Sequence, residues 1–103
     1  MKICITSQGK EIDSQIDPRF GRCAYFIFAD TETGKIEAVS NEFINASGGA
    51  GTKAAQFIAG KGALKLLTGN LGPNAVTALS VAGIATVTGV TGTVKYAIDK
   101  YKV

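Results

Sequence analysis

The chain has 103 residues, 46% of them hydrophobic and 18% charged, which fits one folded domain and excludes a disordered chain. Two cysteines exclude a disulfide scaffold, and the absence of histidine excludes His-based acid–base catalysis, a Ser-His-Asp triad and every His-containing zinc site. The net charge of +3, from 11 basic and eight acidic residues spread along the chain, is too thin and too scattered for a nucleic-acid face.

The elements follow in chain order. Residues 2–6, Lys-Ile-Cys-Ile-Thr, are β-branched and apolar and predict a buried first strand bounded by Ser7-Gln8-Gly9. Residues 9–22 are polar, with a turn signal at Asp17-Pro18, and predict a long loop with a functional or mobile role. Residues 23–29, Cys-Ala-Tyr-Phe-Ile-Phe-Ala, predict a second strand buried on both faces. A turn over 30–34 leads into an alternating third strand over 35–40, expected at a sheet edge.

The period then changes. Residues 50–59 place Ala54, Ala55, Phe57 and Ile58 on one side of a helix that Gly60-Lys61-Gly62 stops. A fourth strand is expected over 63–68. A second helix opens at Gly72-Pro73-Asn74, with Val76, Leu79 and Ala82 expected inward. A fifth strand is expected over 84–88. The last helix, 93–101, carries Val94, Ala97, Ile98 and Tyr101 at i, i+3, i+4, i+7 spacing. A three-strand meander followed by alternating helices and strands predicts an α/β fold with helices on both faces of a mixed sheet. Strands one, four and five should run parallel and strand two antiparallel to them.

In such a sheet, ligands sit beyond the carboxyl ends of the parallel strands. Three glycine-bearing loops should meet there: Thr6-Ser7-Gln8-Gly9, Ser47-Gly48-Gly49-Ala50-Gly51, and residues 68–74 with Gly69, Asn70, Gly72 and Asn74. Two helix N-termini aimed at one crevice offer free N–H groups and positive dipole ends to an anion. The plainer reading is that these glycines only permit tight turns. Neither loop is a Walker A or a dinucleotide sequence, so the anion need not be a nucleotide.

Cys23 follows Arg19-Phe20-Gly21-Arg22, and a thiol beside two arginines is expected to be a lowered-pKa thiolate or soft-metal ligand, or else a small buried residue. Arg19 and Arg22 would hold an anion or dress a surface loop. Cys4, between Ile3 and Ile5, reads as core. The carboxylates, Asp13 and Asp17 among them, read as solvated turn charges. No acid stands at the ends of strands one or four, which disfavours a two-metal hydrolase. No base is placed to activate Cys23 as an enzyme nucleophile.

Three motifs in order, Phe20-Gly21-Arg22-Cys23-Ala24-Tyr25-Phe26, Gly48-Gly49-Ala50-Gly51-Thr52-Lys53-Ala54-Ala55 and Gly69-Asn70-Leu71-Gly72-Pro73-Asn74-Ala75, closely resemble the dinitrogenase iron–molybdenum cofactor biosynthesis family, and the similarity runs end to end. The resemblance implies a ribonuclease H-like fold with a five-stranded mixed sheet, lacking nuclease carboxylates. It implies a small non-enzymatic carrier of iron–sulfur–molybdenum cofactor precursors that works with cofactor-assembly proteins; one branch of the family holds a molybdenum–copper–sulfur cluster. Many members carry histidine where Arg19 and Ser47 stand, so a cluster here would rest on Cys23 or on electrostatics alone.

The expected site therefore comprises Arg19, Arg22, Ser47, Gly48, Gly49, Gly51, Asn70, Gly72 and Asn74, with Cys23 as the metal-ligating candidate. The leading expectation is an anionic metal–sulfur cluster or an oxyanion such as molybdate as cargo. The alternative is a regulatory or interaction domain that takes a phosphate-bearing small molecule in the same crevice. The chain opens on its first strand without a signal-peptide pattern, and no apolar run approaches the ~20 residues of a membrane span. It reads as a cytoplasmic, single-domain protein with reduced thiols and no membrane or nucleic-acid partner.

Overall fold

The computed structural model describes residues 1–102. The chain order is β1 (Lys2–Ser7), β2 (Tyr25–Asp30), β3 (Ile36–Ser40), α1 (Ala50–Gly60), β4 (Lys65–Leu67), α2 (Pro73–Val81), β5 (Ala85–Val87) and α3 (Val94–Tyr101). The five strands form one mixed sheet in the order β3-β2-β1-β4-β5. β1 pairs antiparallel with β2, Ile5 opposite Ile27, and parallel with β4, Cys4 opposite Leu66. β5 extends the parallel half, and β3 forms the far edge.

Period-2 alternation divides the sheet residues between two cores. Cys4, Phe26, Phe28 and Leu66 face α1 and α2, where Ala54, Ala55, Ile58, Ala75 and Leu79 close the layer. Ile3, Ile5, Ile27 and Leu67 face α3 through Val94 and Ala97, with Ile98 and Tyr101 packed alongside. The central strands are therefore apolar on both faces, as the sequence implied. Phe57 of α1 is partly buried and stacks among the rings of Phe26, Phe28 and Phe43.

Several boundaries and orientations differ from expectation. Cys23 and Ala24 precede β2 because Asn41 accepts them into a bend: its Nδ2 donates to Gly21 O at 3.1 Å and to Cys23 O at 2.9 Å. β4 and β5 shrink to three residues each. Leu79 is buried as expected, but Val76 and Ala82 point outward, Val76 half exposed, and Ala75 buries in their place. Pro73 sets the helix phase at N1, and the i, i+4 pair that meets α1 is then Ala75 and Leu79.

The 9–22 segment is not a free loop. Gln8 N donates to Gln15 O, Asp17 N to Thr6 O, Ile16 N to Gly92 O and Asn70 N to Pro18 O, all between 2.7 and 3.0 Å. Ile16, Asp17 and Phe20 are buried. The Thr6 hydroxyl, fully buried, bonds both Asp17 O at 2.7 Å and the Thr68 hydroxyl at 2.8 Å. It thus ties β1, the segment and the end of β4 together. Thr6→Val should leave the Thr68 hydroxyl and Asp17 carbonyl short of a partner and lower the unfolding free energy by about 1–3 kcal/mol in denaturant titration, with the fold retained.

Candidate functional site

Beyond the carboxyl end of the sheet, the starts of α1 and α2 and the chain at residues 20–22 enclose a crevice of about 290 Å³. Its walls are Phe20, Gly21 and Arg22 on one side, Gly49, Ala50, Gly51 and Thr52 at the head of α1, and Asn70, Gly72, Pro73, Asn74 and Ala75 at the head of α2. Among these residues Arg22 alone is charged, and neither helix has an acid in its first turn.

Two glycines let these parts meet. A Cβ on Gly21 would stand 2.9 Å from the Gly51 nitrogen and 3.0 Å from the Ala50 carbonyl carbon, so the chain lies flat against the first turn of α1. A Cβ on Gly69 would stand 2.5 Å from Pro18 Cα, which is why β4 can exit directly beneath the 17–19 segment. There Arg19 and Asn70 form a parallel bridge. Gly49 serves differently, at φ 69° in the left-handed region that turns the chain into α1.

The helix starts carry the electrostatics. The N-cap positions of α1 and α2 are Gly49 and Gly72, neither of which offers a side-chain acceptor. Lys53 N bonds Gly49 O and Val76 N bonds Gly72 O, but no described residue accepts from the N–H groups of Ala50, Gly51, Thr52, Asn74 or Ala75. Ala50 and Ala75 are nonetheless buried. α3 provides the contrast within the same molecule. There the Thr93 hydroxyl accepts from Tyr96 N, while Val94 N and Lys95 N donate to Ser14 O and Ile12 O. One helix start is fully capped by the protein; the two that face the crevice are left open with their positive dipole ends together.

The structure brings together Arg22, Gly49, Gly51, Asn70, Gly72 and Asn74 from the expected set. Arg22 lines the crevice, and its Nη1 donates to Ile44 O at 2.8 Å, which holds the guanidinium in place. Ser47 and Gly48 lie exposed on the approach to α1, outside the lining. The Thr6-Ser7-Gln8-Gly9 loop does not reach the crevice, because residues 14–17 cover that end of β1. Arg19 stands at the rim through its bridge to Asn70, with its side chain largely exposed.

Two expectations are corrected by burial. Asp17 is not a solvated turn charge: it is 2% exposed, and its carboxylate accepts from Arg19 N at 3.0 Å, Nε at 3.2 Å and Nη2 at 3.2 Å. This hydrogen-bonded ion pair raises the Arg19 guanidinium further above its ordinary pKa. Cys23 is not a lowered-pKa thiolate. It is fully buried in the α1/α2 core, donates its S–H to Phe20 O at 3.2 Å, and is pushed up to about 12, first by burial and then by the Asp17 charge. The opposing pull of Arg19 is the weakest of the five influences. Sequence adjacency to two arginines misled because burial dominates the thiol and the guanidinium groups are engaged elsewhere, Arg19 on the Asp17 carboxylate and Arg22 on Ile44 O.

The walls Phe20, Gly21, Ala50, Thr52, Pro73 and Ala75 were not among the expected residues. The motif Phe20-Gly21-Arg22 carried the signal for the first of them, but only the backbone contact identifies Gly21 as the one that must lack a side chain.

The family model described as dinitrogenase iron-molybdenum cofactor matches residues 1–103, and the chain belongs to that family. The apo form of the orange protein from Desulfovibrio gigas is similar in structure, with a TM-score of 0.95 at 41% identity, covering 98% of this chain and 86% of that one. A NifB-like protein from Thermotoga superposes with a TM-score of 0.85 at 39% identity over 98% of this chain and 86% of its own. The uncharacterized protein MJ0580 of Methanocaldococcus jannaschii is 33% identical over 75 residues, which span 70% of this chain and 64% of that relative. No helix among the described residues is long and apolar enough to cross a membrane.

The Cys23 environment gives a direct test. In the native protein at pH 8, iodoacetamide should leave Cys23 unmodified by mass spectrometry and label it only after unfolding. Because the folded thiol titrates near 12 and the unfolded one near 9.0, the unfolded state alone loses its proton between these values. Stability should therefore fall as pH rises from about 9 toward about 12.

Proposed function

We propose that this protein is a cytoplasmic, non-enzymatic carrier of an anionic metal–sulfur cluster or its oxyanion precursor, working with cofactor-assembly proteins. The observation that carries the reading is the pair of uncapped helix starts, where five residues whose N–H groups find no acceptor among the described residues line one crevice beside Arg22. The family and the similarity to the orange protein support cargo of the iron–molybdenum–sulfur kind. The β3-β2-β1-β4-β5 strand order supports the ribonuclease H-like reading of the fold.

Among the described residues, no three His, Cys, Asp or Glu side chains come together where they could hold a metal ion. Cargo would then be held through its outer sulfur or oxygen atoms, by N–H donors and a guanidinium, without a bond from protein to metal. Such a hold suits a carrier. It uses many hydrogen bonds of modest strength and can be released without breaking a metal–thiolate bond. Each helix start contributes about 0.3–1 kcal/mol toward a nearby negative charge at exposed sites, and more where water is excluded. Gly49, Gly51, Asn70, Gly72 and Asn74 form the cradle in this reading, with Arg22 as the fixed cation and Arg19 at the rim.

The test is uptake of tetrathiomolybdate and of molybdate under anaerobic conditions. The protein should retain the coloured thioanion through gel filtration, and Gly21→Ala, whose Cβ covers the Gly51 N–H, should bind it at least about tenfold more weakly while remaining folded by circular dichroism. Gly49→Val should also weaken uptake, with an added loss of about 1–2 kcal/mol of stability from its left-handed backbone. Preference for inorganic phosphate or a phosphorylated small molecule over the thioanion would replace this reading with the regulatory one.

A further inference from the structure

The buried carboxylate of Asp17 is the feature of this region that a site for anions leaves unexplained. It lies two residues from the rim arginine and three from the first lining residue, and its negative charge opposes any anionic cargo. Among the described residues it is also the one hydrogen-bond partner of the Arg19 guanidinium. The carboxylate side chain is 3% exposed and Arg19 is 64% exposed, so the pair consists of a fixed, shielded anion and a cation at the edge of solvent. Arg19 is the bridge partner of Asn70, which lines the crevice, so its backbone sits one strand spacing, about 4.8 Å, from the lining. The guanidinium stays out of the lining because it folds back onto Asp17.

We propose that Asp17 is the resident counter-anion of Arg19, and that cargo entering the crevice takes the guanidinium over from it. Asp17 thereby sets how strongly an anion must compete before it is bound. This rests on the anion-carrier reading above and adds to it the residue that tunes affinity. Freeing the guanidinium leaves a buried carboxylate without its cation, and that cost is what cargo must outcompete. The Asp17 carboxylate keeps its bond from Arg19 N when the guanidinium leaves, because that donor is backbone and fixed. Arg19 can move without disturbing the fold, because its side chain hydrogen-bonds no other described residue. Of the two arginines, an empty carrier therefore presents Arg22 to the crevice, and a loaded carrier presents both. Release of cargo is assisted in turn, since Asp17 stands ready to reclaim Arg19.

The segment itself is held through main-chain atoms, Asp17 N to Thr6 O and the Thr6 hydroxyl to Asp17 O, so an isosteric change of the carboxyl group leaves its anchors intact. Calorimetric titration of molybdate should then show Asp17→Asn binding about three- to fivefold tighter than the parent, the upper part of the range expected for a charge pair at a rim. Arg19→Gln should bind more weakly by a similar factor. In the Arg19→Gln background the gain from Asp17→Asn should shrink to less than about twofold, because there is no guanidinium left to free.

A second measurement needs no variant. The Arg19 Nε–H resonance of the parent protein should move when molybdate is added, as its acceptor changes from carboxylate to oxyanion. Unchanged or weaker binding by a folded Asp17→Asn overturns the proposal, as does a full gain that persists without Arg19, or an Arg19 Nε–H signal that molybdate saturation leaves in place. If the parent protein takes up neither molybdate nor thiomolybdate, the carrier reading itself fails and this inference with it; if uptake is normal and only the Asp17 effects are missing, the carrier reading stands alone.

Discussion

The close approach of Gly21 to the first turn of α1 is the constraint on which the rest of the site depends. It lets a chain segment without regular structure lie within van der Waals distance of the Gly51 nitrogen and the Ala50 carbonyl. Gly51 in turn lets α2 approach, since a Cβ there would meet the Ala75 Cβ at 3.1 Å. Three backbones therefore converge with almost no side chain between them. The space left over is the crevice, lined by backbone N–H groups together with the polar residues Arg22, Thr52, Asn70 and Asn74. A second close approach, Gly69 beneath Pro18, locks the other end of the same segment to β4. Asn41, buried at the exit of β3, holds the bend between them through Gly21 O and Cys23 O.

A recognition surface made of N–H groups differs in kind from one made of side chains. The donors are fixed by the helices, lose no rotamer freedom on binding, and cannot be neutralised by a change of pH. They select for charge and acceptor density more than for the identity of the central atom. That property suits cargo whose outer layer is sulfide or oxide and whose metal content changes as it matures. The comparison with α3 shows that open helix starts are not a general habit of this chain, because the third helix is capped by Thr93 and by two carbonyls of the 9–17 segment. Burial of Cys23 fits the same logic. Its neutral thiol is packed in the core beneath α1 and α2, outside the crevice lining.

The main features of the fold were legible in the sequence. The apolar runs at 2–6 and 23–29, the change to helical period after residue 50, and the glycine punctuation yield the mixed sheet with parallel β1, β4 and β5 and helices on both faces. The crevice was legible as two glycine-rich helix entries on one sheet edge. What was hidden depends on contacts distant in sequence. Asp17 looks like a turn residue because nothing local reveals that Thr6 draws its backbone inward. Cys23 looks activated by its neighbours because sequence gives the proximity of charges and not their direction. Val76 reads as core by hydropathy, but the α1 contact selects the smaller Ala75, since only a short side chain lets Gly51 come close.

The central claim is that anionic cargo is held by the open starts of α1 and α2. The most direct measurement is a nitrogen–proton correlation spectrum recorded during titration with molybdate. The account predicts large, saturable downfield proton shifts for the amides of Ala50, Gly51, Thr52, Asn74 and Ala75, with Val94, Lys95 and Tyr96 at the capped start of α3 unmoved. Saturable binding that shifts the α3 amides or a lysine-bearing surface, and leaves those five in place, would contradict it.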